Sequence, residues 1–103
     1  MMFSQQSPAI QRLLNRIREI GWGEIENLQI RNGEPILDSP STHTAREISL
    51  DKDYVPSPYR PGEKLKPHVV KMLKQFRSTR DGTVPIIHIK DGLPVRLRVD
   101  EKL

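Results

Sequence analysis

The sequence predicts an α+β fold in which two αββ repeats share a four-stranded antiparallel sheet. Both helices are expected on one face, with a pseudo-two-fold axis between the halves. Three observations carry this prediction. The stretch "IRNGEPI" at residues 30–36 returns as "IKDGLPV" at residues 89–95, an offset of 59 positions. The same offset aligns residues 8–36 with residues 67–95 without a gap, with seven identities: Pro8/Pro67, Leu14/Leu73, Arg18/Arg77, Gly23/Gly82, Ile30/Ile89, Gly33/Gly92 and Pro35/Pro94. Finally, each copy passes from helical to strand periodicity in the same order, as internal repeats of one supersecondary unit do.

The first helix is expected to open at Ser7, a good N-cap, with Pro8 in the first helical position. Ile10, Leu13, Leu14 and Ile17 recur at helical spacing, and Gly21 is the expected stop. The second helix repeats the pattern with Pro67, Val69, Val70, Met72, Leu73 and Phe76. Lys66 replaces the serine and is a poor cap, so that helix is expected to fray at its start.

Each helix leads into a hairpin whose turn holds Asn32-Gly33 or Asp91-Gly92. A two-residue turn is the usual outcome for such pairs. Side-chain parity argues for a three-residue loop instead, with glycine last in a left-handed bulge. Ile89 would then face Leu93 and Ile87 would face Val95, all on the core side. Gly33 and Gly92 supply the positive φ, and Asn32 and Asp91 tolerate the turn before them.

One helix and one hairpin cannot close a core alone, so the chain reads as a single domain, residues 1–103. Repeat unit one spans residues 7–37 and repeat unit two residues 67–99. The segment between them, residues 38–66, is rich in Ser and Pro and reads as a linker. Within it "REISL", residues 46–50, alternates like a short edge strand, and Tyr54 and Tyr59 are expected to pack onto the body.

Composition narrows the functional classes. There is no cysteine, which excludes disulfides and thiolate metal sites and suits the cytoplasm. No apolar run approaches the roughly 20 residues that span a bilayer, and the first ten residues lack the features of a signal peptide. Lys and Arg total 17 against 13 Asp and Glu, a net charge of +4 that permits a polyanion partner without requiring one. His43, His68 and His88 have no metal-ligand spacing, so neither a metal nor any other cofactor is expected. No strand-to-helix elbow presents a nucleophile, and Gly21 and Gly23 precede a strand rather than opening a helix as phosphate loops do. The chain reads as a non-enzyme.

The second unit, from "VVKMLKQF" through "GTVPIIHIKDG" to the charged end "DEKL", resembles the YezD family of small bacterial proteins. The likeness lies in the order of helix, G-x-V-x-I strand and turn, apolar strand and charged tail. It covers about 35 residues well and the first unit less closely. It implies a bacterial origin and a fold, and carries no catalytic or ligand residues. The doubling and the proline-rich linker depart from that pattern.

The remaining signal is basic. Strand alternation puts His88, Lys90, Arg96 and Arg98 on the open face of the second hairpin, with no acidic residue of that hairpin among them. Pro35 and Pro94 are expected on the same face. Trp22 falls at a helix-to-strand junction, where a core or hinge role is expected. The expected function is a small protein-interaction module, binding a protein partner or a second copy through the open sheet face. The alternative is a nucleic-acid-binding regulator that uses the basic face, although the sheet lacks aromatic stacking platforms.

Overall fold

A computed structural model describes residues 1–101. A short 3-10 turn, Phe3–Gln5, precedes helix α1 (Pro8–Ile20). Strands β1 (Gly23–Arg31), β2 (Glu34–Ile36) and β3 (His43–Arg46) follow. Helix α2 (Pro67–Thr79) then leads into β4 (Gly82–Lys90) and β5 (Leu93–Arg98). The fold is α+β with two helices and an antiparallel sheet of five strands rather than four. The order is β2-β1-β4-β5, with β3 on the same edge of β1 as β2.

Local chemistry sets the helix ends. Ser7 Oγ accepts a hydrogen bond from the Ile10 N–H at 3.3 Å, and Pro8 follows. Lys66 gives α2 no side-chain cap, yet the helix is regular from Pro67, because its apolar face is held by packing. Both helices stop in the same unusual way. Gly21 (φ 70°, ψ −58°) and Arg80 (φ 60°, ψ −71°) each centre a γ-turn. These turns close with Trp22 N–H to Ile20 O at 2.7 Å and Asp81 N–H to Thr79 O at 2.8 Å.

Each hairpin turn then hooks onto the other unit's helix end. The Gly33 N–H donates to the Arg80 carbonyl and the Gly92 N–H to the Gly21 carbonyl, both at 2.9 Å. The turns have two residues, not three. Arg31 pairs with Glu34 and Lys90 with Leu93, and the residues between them all have positive φ: Asn32 54°, Gly33 73°, Asp91 53°, Gly92 71°. Two consecutive left-handed residues define the turn that matches strand twist, and Asn or Asp then Gly bear it at least cost. Parity is restored further along. A bulge in β5 leaves Val95 unpaired, between Ile89↔Pro94 and His88↔Arg96. Ile89 therefore faces Pro94, not Leu93, and Ile87 faces Leu97, not Val95. Pro35 and Pro94 are buried on the helix side instead of lying on the open face.

The linker behaves differently from the expectation at one point. Its strand is His43–Arg46, and the chain leaves the sheet where "REISL" begins, so Ile48 and Leu50 are exposed. Asn27, at φ 56°, explains the placement. It breaks the alternation of β1, so Ile25 before the break and Leu28 and Ile30 beyond it all reach the core. β2 pairs with β1 on one side of Asn27 and β3 on the other, while the Asn27 carbonyl accepts from Thr42 Oγ1 at 2.9 Å.

One buried cluster joins the helix faces, Leu13, Leu14, Ile17 and Ile20 with Val69, Met72, Leu73 and Phe76, to Ile25, Leu28, Ile30, Val84, Ile87 and Ile89 of the sheet. Phe3, Tyr59 and Leu65 extend it. Tyr59 stacks on Phe3 with ring centroids 4.8 Å apart, and the Arg18 guanidinium lies 3.4 Å from the Tyr59 ring centroid. Arg18 also pairs with Glu63, and the Tyr54 hydroxyl donates to the Arg18 carbonyl at 2.6 Å. The linker is thereby strapped to the end of α1, as the packing of both tyrosines predicted.

Candidate functional site

Both helices pack on one face of the sheet, so the other face is set by strand register alone. Across it run two rows of side chains. The first is Ala45, Glu24, His88 and Arg96, and the second is His43, Glu26, Ile86 and Arg98, taken through the pairings β3–β1, β1–β4 and β4–β5. The bulge adds Val95 to the first row, because a bulge sets two residues opposite one.

Of the four residues expected as a basic surface, His88 and Arg96 are direct cross-strand partners. Arg98 lies in the next row, and Lys90 sits beside the hairpin turn. Lys90, Arg96 and Arg98 are exposed. Their surroundings are not purely basic. Glu24 Oε2 lies 3.9 Å from His88 Nδ1, Glu26 is one strand further from Arg98, and Arg98 Nε donates to Asp100 Oδ1 at 3.1 Å. The field over this face therefore changes sign from β1 to β5. The basic residues are legible within one hairpin, whereas the acidic ones arrive from a strand 59 positions earlier in the repeat.

Trp22 is not the core residue that the sequence suggests. The residue is 40% exposed. It stands where α1 gives way to β1, and the Glu47 N–H donates to its carbonyl at 2.7 Å. Trp22 walls two adjoining grooves. One opens on the sheet face among Glu24, His88, Lys90, Val95 and Arg96. The other, of about 790 Å³, runs under the linker among Ile20, Ile48, Tyr54 and Val55. Burial raises the Tyr54 hydroxyl above its ordinary pKa, with Asp91 adding to the effect, which keeps it a donor to Arg18.

The predicted turn residues Asn32, Gly33, Asp91 and Gly92 take structural roles, as described above. Among the described residues no three His, Asp or Glu side chains converge as a metal site, and no helix is long and apolar enough to cross a membrane. Comparison with protein-family models, with curated proteins and with solved structures yields no match for this chain.

Proposed function

We propose that the chain is a small non-catalytic interaction module whose binding surface is the open face of the sheet. One observation carries this reading: the face opposite the helices bears exposed Trp22 and Val95 beside a ladder of charged residues. Exposed apolar surface rimmed by polar residues is one mark of an association site. Tryptophan and arginine, both present, are the side chains that most often dominate binding energy. In this reading the repeats are halves of one pseudo-two-fold scaffold. Support comes from the reciprocal turn hooks, Gly33 to Arg80 and Gly92 to Gly21, which are related by the 59-residue offset. The resemblance of the second unit to the YezD family supports a bacterial setting and adds no activity, and the absence of cysteine suits the cytoplasm.

Nucleic acid is the alternative occupant, supported by exposed Lys90, Arg96 and Arg98 and opposed by Glu24 and Glu26 on the same face. Affinity capture with and without nuclease separates the two, with wild type compared against Trp22→Ser/Val95→Ser. The module reading expects a nuclease-resistant partner, or a second copy, lost in the variant. Binding that needs nucleic acid and falls steeply with salt would transfer the role to the basic residues. Association unchanged by the substitutions would remove the face from consideration.

A further inference from the structure

We infer that the open sheet face takes a second copy of this chain, packed face to face about a two-fold axis that runs along β4. The inference rests on the interaction-module reading and names its partner. The open face carries an acidic column on β1, Glu24 and Glu26 with Trp22 at its end. Two strands away is a basic column on β5, Arg96 and Arg98 with Val95 at the matching end. Between them, β4 contributes His88, the half-buried Ile86 and, beside the hairpin turn, the exposed Lys90.

A two-fold axis over β4, parallel to the strands, keeps each row in place and exchanges the columns. Glu24 then meets Arg96 of the other copy, Glu26 meets Arg98, Trp22 approaches Val95, Ile86 and His88 each meet their own equivalents, and Lys90 faces its equivalent at the turn end of the patch, where both are exposed. A two-fold perpendicular to the strands would lay β1 on β1 and set Glu24 against Glu26, which like-charge repulsion disfavours. An axis between β1 and β4 would press Glu26 onto Ile86, desolvating a carboxylate without a partner. The charges of β1 and β5 thus favour one isologous arrangement, in which the acidic column of each copy meets the basic column of the other. Two sheets packed this way lie about 10 Å apart with strands aligned to within about 30°, a spacing that the side chains of both faces fill.

The test is molecular mass in solution, by sedimentation or light scattering, over a wide concentration range. Wild type is expected at twice the 11.9 kDa of one chain, dissociating as salt is raised. Glu24→Arg/Glu26→Arg and Arg96→Glu/Arg98→Glu, each with an unchanged circular dichroism spectrum, should both run as single chains. Mixing the two variants should restore the doubled mass, because each acidic face then meets a basic one. A wild type that stays at the mass of one chain, a dimer retained by either variant, or a mixture that fails to associate would each overturn the inference. The broader reading separates from it cleanly. A monomeric wild type whose captured partner is lost in Trp22→Ser/Val95→Ser leaves the module standing without self-association, and a monomer with no such loss removes both.

Discussion

The two units carry the same helix, the same turn and the same hook, but they finish their sheet edges by different means. In the first, the edge of β1 is shared by the three residues of β2 and by β3, which the linker supplies. In the second, the six residues of β5 follow β4 alone, through the bulge at Val95. The helix ends diverge as well. Arg18 is strapped under the linker by Tyr54, Tyr59 and Glu63, whereas its counterpart Arg77 is exposed. Positions that hold the scaffold are alike in the two segments, and positions on the edges and the open face differ. On the proposed reading, binding is therefore better sought on the open face than among the repeated residues.

The sharpest way to break the likeness is through the core. Leu14 and Leu73 are equivalent and both essentially buried, at 1% and 2% exposure. Leu14→Ala and Leu73→Ala should each cost about 2–5 kcal/mol, within a similar range of one another. Urea melts read both, and a near-neutral value for either would mean that its helix does not share the common core.

A smaller effect separates the helix ends. Gly21 and Arg80 hold the same positive-φ conformation, but only glycine does so without strain. Arg80→Gly should stabilise by about 1 kcal/mol. Gly21→Ala should destabilise by about 1–3 kcal/mol, because its Cβ would lie 2.5 Å from the Tyr54 ring and displace the hydroxyl from Arg18. Opposite signs in thermal unfolding are the expected outcome, and equal signs would show that the two turns are not alike in strain.

The smallest effect lies in the strap, which α2 lacks. The hydrogen bond from Arg18 holds the Glu63 carboxyl below its ordinary pKa, against a smaller opposing contribution from burial. A depressed carboxylate stabilises the fold above its unfolded pKa, and that contribution disappears as pH falls through the lower folded value. Wild type should therefore lose stability on acidification by slightly more than Glu63→Gln, the difference opening below the ordinary glutamate range. Parallel acid titrations of the two proteins would reject the ion pair as a stabilising contact.

Much of the fold was legible because its signals are local. A helix face is written at spacings of three and four residues, and Ser7-Pro8 and Gly21 mark its ends within one turn of chain. The turns were legible in residue type but not in length. A three-residue loop ending in a bulged glycine and a two-residue turn followed by a bulge at Val95 both need positive φ at Gly92, and both insert one extra residue into the ladder. Only the pairing of Lys90 with Leu93 decides between them.

By itself, the sequence determined that each helix leads into a hairpin, the core side of both helices and the glycine-bearing turns, each through constraints that act within a few residues. The tertiary structure alone decided that β3 begins at His43, that Trp22 stays exposed, and that Glu24 lies beside His88. The last of these has a plain physical cause. When two segments repeat at a constant offset and pair antiparallel, every register satisfies the repeat equally well. The choice among registers belongs to the shared core, where Ile25 must meet Ile87 and Leu28 must meet Val84. The charges on the open face follow from that choice made on the other side of the sheet.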